Sequence, residues 1–326
     1  MINLEKSFAS IIEKINSAND IVLLVHENPD GDAIGSIISL YKALTKIGKK
    51  VDGVVERYPV NCMFLINTIG KEIKTFEDTD LTKQYDLCIV LDCGNLERLS
   101  LAKDLFINAK DTVCIDHHET NISFANNNHI VPEAAATGEL IFDLINEMQI
   151  EIDTEIATAL YASIISDTGN FCHQNTTKRT FEIASTLMGC SIDVAKISYH
   201  MFNETRLNRI VFMGKLLSKI EVFLDGKLSI ISATQEDIDE FGIDKSELDG
   251  IVDYARYIKG VEVGILIKPK DGVYRISMRS NGNVDLLDIA AKFNGGGHKY
   301  AAGGRVDTDS IEKAKEELVK AFSEIL

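Results

Sequence analysis

Two short polar segments contain the side chains of this sequence that are best suited to chemistry. Residues 26–32 read HENPDGD, and residues 116–118 read DHH. Both segments combine imidazoles with carboxylates, and both follow a short apolar run. Such side chains bind divalent cations in proteins. The two segments therefore predict a metal-dependent enzyme.

Two isolated aspartates complete the set of candidate ligands. The candidates are His26, Asp30, Asp32, Asp92, His117 and Asp167. Carboxylates with a minority of imidazoles suit Mn²⁺, Mg²⁺ or Co²⁺, whereas zinc more often takes cysteine or additional histidines. The charge of four aspartates is balanced by two divalent cations, while a single ion would leave carboxylates in uncompensated repulsion. Two such ions can activate water and stabilise a phosphoryl displacement.

The apolar runs before these residues predict the strands that position them. The runs are residues 21–25, 51–55, 87–91 and 112–115. They are short and rich in β-branched residues, and helical patterns such as residues 33–47 alternate with them, so we expect a parallel sheet covered by helices on both faces. Sites in open α/β sheets form at the carboxyl ends of the strands. His26, Asp92 and the DHH triplet all occupy such positions.

The C-terminal part predicts a smaller α/β domain with a mixed or antiparallel sheet. Two hairpins are expected, one turning at Asp225 and Gly226 and one near Asp271 and Gly272. Helical patterns cover residues 245–258 and 284–293, and a glycine-rich stretch follows at residues 294–298. We expect the first domain to cover residues 1–185, a helical linker residues 186–220, and the second domain residues 221–326.

Composition limits the classes of function. The chain has 326 residues and a formal charge of −16, which disfavours binding of long nucleic acid, because that binding relies on clustered lysine and arginine. No apolar stretch approaches the roughly 20 residues of a membrane span, and residues 1–6 do not resemble a signal peptide. The six cysteines form no CxxC pair, so we expect reduced core thiols and a cytoplasmic protein.

On these motifs the sequence resembles the DHH phosphoesterase family, which is named for the triplet at residues 116–118. Further matching segments surround Asp92, with Arg98 downstream, and Asp167 in the sequence SDTG. The GGGH sequence at residues 295–298 resembles the DHH-associated C-terminal domain. The similarity covers nearly the whole chain and is strongest to the two-domain, NrnA-like members, which act as oligoribonucleases and as phosphatases of 3′-phosphoadenosine 5′-phosphate (pAp).

The resemblance implies two Mn²⁺ ions that share one ligand. The first ligand set would be His26, Asp30 and Asp92. The second ligand set would be Asp32, Asp92, His117 and Asp167. Asp92 would bridge the two ions, His118 would contact the scissile phosphate or orient the nucleophile, and Asp116 would fix the orientation of a histidine.

The resemblance assigns substrate binding to the second domain. The residues concerned are Arg275, Arg279, Ser280, Gly295, Gly296, Gly297 and His298. Arg275 and Arg279 share one face of a predicted strand because their numbers differ by an even amount. The glycines would let backbone N–H groups approach a phosphate.

The implied activity is hydrolysis of short oligoribonucleotides, of pAp, or of both, by a hydroxide that two metal ions activate. The substrate would be gripped by both domains, no membrane would be involved, and a homodimer is left open. A cyclic di-AMP or pApA phosphodiesterase is the main alternative. A family II-like inorganic pyrophosphatase and a non-catalytic nucleotide-sensing module are weaker ones, since the glycine loop differs from that of the pyrophosphatases and no metal ligand is missing.

Overall fold

The computed structural model describes residues 7–248, 250–270 and 272–326. The chain divides into two compact units, Met1–Glu204 and Thr205–Leu326. Two sequence predictions fall on residues outside those described. They are the absence of a signal peptide at residues 1–6 and the position of Asp271 in the second hairpin turn.

The first unit is built around one sheet. Its strands are β1 (Asp20–Val25), β2 (Lys50–Val55), β3 (Lys74–Thr75), β4 (Leu87–Leu91), β5 (Asp111–Asp116) and β6 (Asn127–Ile130). Its helices are α1 (Ala9–Ser17), α2 (Gly31–Lys46), α3 (Met63–Thr68), α4 (Lys103–Ile107), α5 (Thr137–Glu147), α6 (Thr154–Asp167), α7 (Lys178–Met188) and α8 (Val194–Ser198). All strand pairs are parallel, in the order β3-β2-β1-β4-β5-β6.

The central strands are apolar throughout because both of their faces are covered. In β1, Leu23 packs into a core shared with α2, α5 and α6, whereas the next residue, Leu24, packs into a second core that contains Leu105 and Phe106 of α4. A strand with two buried faces cannot alternate polar and apolar residues. The predicted parallel sheet covered by helices is confirmed.

The second unit contains a mixed sheet, as predicted. Its strands are β7 (Glu221–Phe223), β8 (Leu228–Ser232), β9 (Val263–Lys270), β10 (Val273–Ser280), β11 (Gly296–His298) and β12 (Ala301–Val306). Its helices are α9 (Leu207–Leu217), α10 (Gln235–Phe241), α11 (Ile251–Arg256), α12 (Leu287–Lys292) and α13 (Ile311–Phe322). The strand order is β11-β12-β10-β9-β8-β7, and only β8 and β9 pair in parallel among the described residues.

One expectation about a helix needs revision, and the predicted linker can be described from the structure. Residues 245–258 do not form one helix, because a short 3₁₀ turn at Lys245–Leu248 is separated from α11 by Gly250, whose φ is +83°. The segment 186–220 is helical but is divided between the units. Ile197 and Met201 pack into the core of the first unit, whereas Phe212 packs into the core of the second.

Two predictions concern the burial of the cysteines and the absence of a membrane span. All six cysteines are free thiols, but only Cys62, Cys88, Cys93 and Cys114 are buried. Cys172 is exposed because it lies in the loop after α6 rather than in a strand. Within the described part of the chain, no helix has the length and apolar character needed to cross a membrane.

Candidate functional site

The carboxyl ends of three adjacent strands bring the polar motifs together. Val25 of β1 lies beside Leu91 of β4, which lies beside Ile115 of β5. The next residue on each strand is His26, Asp92 or Asp116, so these side chains follow one row of the sheet. All three are buried. Burial of this many ionisable groups at the edge of a parallel sheet is typical of a functional site.

The residues of the first ligand set lie close together. His26 Nε2 is 3.6 Å from Asp92 Oδ2 and 3.9 Å from Asp30 Oδ2. Asp30 also caps α2, since its Oδ1 accepts hydrogen bonds from the backbone N–H groups of Asp32 and Ala33. The cap employs one oxygen and leaves the other directed at the imidazole.

The second ligand set surrounds His117 Nε2. That nitrogen is 3.1 Å from Asp167 Oδ2, 3.7 Å from Asp92 Oδ1 and 3.8 Å from Asp32 Oδ2. In each of the two sets, one histidine and two carboxylates can be chosen whose donor atoms lie within 4.8 Å of one another. The structure thus assembles all six candidate ligands at one edge of the sheet.

Asp92 connects the two sets. Its Oδ2 faces His26 and its Oδ1 faces His117. Its backbone adopts a left-handed conformation, with φ +54°, which most L-residues avoid and aspartate tolerates better than most. This uncommon conformation occurs where the chain turns out of β4, and it accompanies a carboxylate with one oxygen toward each histidine.

The imidazole rings are held at their Nδ1 edges. His117 Nδ1 is 3.1 Å from the Ala134 carbonyl oxygen. His26 Nδ1 is 2.6 Å from the Glu27 carbonyl oxygen and 2.9 Å from Arg98 Nη2. Each Nε2 is therefore the ring nitrogen that faces the carboxylates. Contacts of this kind orient histidine ligands in metal sites.

Asp116 orients the other histidine of the triplet. Its Oδ1 is 2.7 Å from His118 Nδ1 and accepts the backbone N–H of His117, while its Oδ2 accepts a hydrogen bond from Asn121. Burial alone would lower the pKa of His118, but the carboxylates of Asp116 and Asp92 raise it above its ordinary value. His118 is thus a fixed imidazole next to both ligand sets.

The electrostatics of the pocket favour cations. Desolvation and the negative charge of Asp92 raise the pKa of Asp30, although its side chain is half exposed, and they raise the pKa of the fully buried Asp32 well above its ordinary value. Burial also opposes ionisation of Asp92, but the neighbouring imidazoles of His26, His118 and His117 hold its pKa below the usual range. Carboxylates that repel one another at this spacing are stabilised by divalent ions. The donor atoms therefore fit two oxygen-preferring metal ions.

A group of hydrogen-bond donors around Asp32 was not anticipated from the sequence. The carboxylate is fully buried. Its Oδ2 accepts the backbone N–H of Thr137 at 2.7 Å. Its Oδ1 accepts the backbone N–H of Gly138 at 3.1 Å and the hydroxyls of Ser36 and Ser163. These donors belong to α2, α5 and α6, so three helices fix one side chain.

Thr137 contacts a second carboxylate as well. Its hydroxyl donates to Asp92 Oδ1 at 3.1 Å. Thr137 is the first residue of α5 and follows the N-cap Ala136. Nothing in its neighbouring sequence distinguishes it. Thr137 and Ser163 are recognisable as parts of the site only once the helices are packed.

In the second unit, a basic face forms on the strands near the glycine-rich segment. Side chains of β10 alternate, so that Ile276, Met278 and Ser280 are buried and the odd-numbered residues are not. Arg279 pairs with Ala301, which pairs with His298, and Arg275 pairs with Arg305. Paired residues of antiparallel strands point to the same side. Arg275, Arg279, His298 and Arg305 are members of this basic face, and Lys268 of β9, which pairs with Arg275, lies on the same side.

The glycines at residues 295–297 differ in whether the structure requires a residue without a side chain. A Cβ at Gly295 would lie 1.9 Å from the Gly303 carbonyl oxygen, and one at Gly297 would lie 2.6 Å from the Ala301 carbonyl oxygen. Gly296 is exposed, and a Cβ there would meet nothing within 4 Å. Gly295 and Gly297 thus permit close contact with β12, whereas all three glycines of residues 295–297 are exposed.

The structure separates Ser280 from the basic face. The side chain is buried on the opposite side of β10, and its Oγ accepts the backbone N–H groups of Gly282 and Val284 at 3.2 Å each. Ser277 instead lies on the side of Arg275 and Arg279, because strand alternation places odd-numbered residues together. The resemblance grouped Ser280 with Arg279 as substrate-binding residues, but the alternation of β10 places their side chains on opposite sides.

Comparison with known proteins supports the resemblance. A family model of the DHH N-terminal domain matches residues 20–164, and a model of the DHHA1 domain matches residues 227–326. The bifunctional oligoribonuclease and PAP phosphatase NrnA of Thermus thermophilus is 31% identical over 308 residues, which span 94% of this chain and 90% of that protein.

Two further relatives are informative. The cyclic-di-AMP phosphodiesterase PdeA of Listeria monocytogenes is 27% identical over 327 residues, which cover 95% of this chain and 48% of PdeA. The crystal structure of an exopolyphosphatase-related protein from Bacteroides fragilis superposes with a TM-score of 0.90 at 28% identity, covering 97% of this chain and 95% of that one. The similarity therefore includes both units of the chain.

Proposed function

We propose a specific activity for this chain, which belongs to the DHH family: metal-dependent hydrolysis of short oligoribonucleotides and of pAp. The observation that carries the proposal is the bridging geometry of Asp92, which directs one carboxylate oxygen to each of two ligand sets. The name of the Thermus thermophilus relative includes both activities, and it supports a hydrolase that acts on nucleotides or nucleic acid.

The first unit would supply the chemistry. His26, Asp30 and Asp92 would hold one ion, and Asp32, Asp92, His117 and Asp167 the other, with Mn²⁺ as the proposed metal and Mg²⁺ or Co²⁺ as alternatives. When bound, such ions lower the pKa of water and offset charge on the phosphoryl oxygens. His118 would offer Nε2 to the scissile phosphate, because its Nδ1 is engaged by Asp116.

The second unit would supply substrate recognition. We assign binding of a nucleotide phosphate to Arg279, with Arg275 and His298, and to the exposed backbone of Gly296. A basic face in a chain of charge −16 is suited to a short polyanion rather than to a long one. Arginine binds phosphate through two parallel N–H donors.

A cyclic di-AMP or pApA phosphodiesterase is the second candidate. The Listeria relative carries that activity in its name, but the matched region is only 48% of its length. A dinucleotide carries the same phosphate chemistry as a short oligoribonucleotide. The two candidates differ in the substrate that is turned over fastest.

A substrate panel with Mn²⁺ tests the proposal. It would contain di- to pentanucleotides, a long RNA, pAp, pApA, cyclic di-AMP and pyrophosphate, with Asp92→Ala as the inactive control. We expect the highest kcat/KM for short oligoribonucleotides and pAp, and loss of activity in chelator with recovery on adding Mn²⁺. Fast turnover of pyrophosphate alone would refute a nucleotide substrate, and preference for cyclic di-AMP would favour the second candidate.

A further inference from the structure

One residue, Thr137, links two of the three carboxylates that belong to the second ligand set. We propose that Thr137 is a positioning residue that sets the separation of Asp32 and Asp92, and thereby builds the second metal site. Its backbone N–H holds Asp32 Oδ2 at 2.7 Å, and its hydroxyl holds Asp92 Oδ1 at 3.1 Å. The inference rests on the two-metal function proposed above.

The hydrogen bonds to Asp32 determine which of its carboxylate oxygens remains available to a cation. A carboxylate oxygen has two lone-pair directions. Asp32 Oδ1 already accepts from Ser36, Ser163 and the backbone of Gly138. Oδ2 accepts only from Thr137 among the hydrogen bonds found in the described residues. One direction at Oδ2 is left for a cation, on the side of His117.

A hydrogen bond from Thr137 also fixes one carboxylate oxygen of Asp92. The oxygen that accepts the Thr137 hydroxyl, Oδ1, is the one that faces His117 at 3.7 Å. The other oxygen, Oδ2, faces His26 of the first ligand set. Thr137 therefore contacts one oxygen from each of two ligands to the second ion. It reaches the first ion only indirectly, through the shared carboxylate of Asp92.

Thr137 is itself fixed in place. It is fully buried at the start of α5. The turn before it is tied by the Glu139 carboxylate, which accepts the backbone N–H of Ala135 at 3.3 Å. The residue after it packs without a side chain, since a Cβ at Gly138 would lie 1.9 Å from Ser163 Oγ. A residue held on both sides can define the position of groups that it contacts.

Substitution of Thr137 by valine isolates the hydroxyl. Thr137→Val keeps the branched shape and the backbone N–H bonded to Asp32, and it removes only the donor to Asp92. Loss of a hydrogen-bond partner of a metal ligand lowers metal affinity by about 10- to 100-fold. We expect that loss at the second site only, with the first site retaining affinity within about threefold. Thr137→Ser restores the hydroxyl and with it the second site.

The experiment is a Mn²⁺ titration of metal-free protein, read by calorimetry and by electron paramagnetic resonance. Wild type should bind two ions with a spin-coupled spectrum. At ion concentrations that fill only the tighter site, Thr137→Val should give the hyperfine pattern of an isolated Mn²⁺. Thr112→Val is the matched control, because Thr112 is a buried threonine whose hydroxyl accepts the backbone N–H of Asn126 away from the ligands.

The possible outcomes distinguish the positioning role of Thr137 from the two-metal function on which it rests. Two wild-type ions together with wild-type affinities in Thr137→Val would overturn the positioning role and leave the two-metal function standing. A wild type that binds a single ion would overturn both. An equal loss in Thr112→Val would attribute the effect to general destabilisation and would also overturn the positioning role. Recovery in Thr137→Ser, with an unchanged control, supports it.

Discussion

The reactive side chains of the two units are held in contrasting ways. In the first unit, buried and mostly acidic groups are fixed by several hydrogen bonds each, as Asp32 and Asp116 show. In the second unit, basic groups such as Arg275 and Arg305 are exposed on the open side of a sheet. Heavily fixed groups serve steps that need preorganised charge, whereas exposed groups serve binding. Substitutions in the two units should therefore act on different kinetic constants.

The largest effect is expected where the two ligand sets meet. Asp92→Ala removes an oxygen from each set, so kcat/KM should fall by on the order of 10³-fold or more, as when one preorganised electrostatic group is lost. Metal content by atomic absorption should fall with it. Full activity with two bound ions would contradict the bridging role.

A smaller loss is expected from the residue behind His118. Asp116→Asn weakens the acceptor that orients the imidazole, so kcat should fall about 10- to 100-fold, and KM should change little. Asp111→Asn is a matched control, because Asp111 begins the same strand and pairs with Lys14. If Asp116→Asn kept the wild-type kcat, as the control Asp111→Asn should, then the catalytic contribution of His118 would not depend on Asp116.

The basic face should respond through KM instead. Arg279→Ala should raise the KM for pAp and dinucleotides about 10- to 100-fold, which corresponds to losing a charge-assisted hydrogen bond of about 1.5–3 kcal/mol. Mn²⁺ affinity should be unchanged. Lys292→Ala is the control, since Lys292 pairs with Glu324 on the surface of the second unit. If Arg279→Ala left KM unchanged or lowered Mn²⁺ affinity, the assignment of substrate binding to the second unit and of metal binding to the first would be contradicted.

The smallest effect concerns an aspartate outside both sites. Asp237 is buried, which opposes its ionisation, but Lys215 and Lys219 hold its pKa well below the usual range. A depressed pKa in the folded state stabilises the protein above the unfolded value of about 3.9, and that stabilisation is lost as the pH falls. Asp237→Asn should therefore lower the free energy of unfolding by about 1 kcal/mol at pH 7.

Urea denaturation of wild type and Asp237→Asn at pH 7, 5 and 3 measures this effect. The difference between the two proteins should be equal at the two higher pH values and smaller at the lowest. A difference that grew on acidification would have the wrong sign for a depressed pKa. The pKa of the buried candidate ligand Asp32 shifts in the opposite direction, because burial and neighbouring carboxylates raise it.

The sequence predicted the edge where the ligands meet but not what supports them. His26, Asp92 and the triplet follow continuous apolar strands, and that pattern depends only on neighbouring residues. Thr137 and Ser163 act on Asp32 across more than a hundred positions of the chain. Such contacts depend on how helices pack, and a single sequence does not encode them in any local pattern.

In the second unit too, features with a local sequence pattern were predicted, and features that depend on tertiary contacts were not. The hairpins were predicted because their turns have a local signature. Gly250 was not expected to interrupt the helix predicted over residues 245–258, since its positive φ is a property of the folded backbone. Ser280 was assigned to substrate binding together with Arg279, and strand alternation places its side chain on the other side of β10. Close contact of Gly295 with β12 depends on pairing between distant strands.

The spread of the ligands along the chain constrains how the protein matures during translation. The first ligand set is complete once Asp92 has left the ribosome, but the second requires Asp167, and the donors to Asp32 include Ser163. A nascent chain therefore could not assemble the proposed dinuclear centre before α6 has been synthesised and packed. Metal insertion would then be a late step of biogenesis, and the ions present at that stage would determine which metal the finished protein acquires.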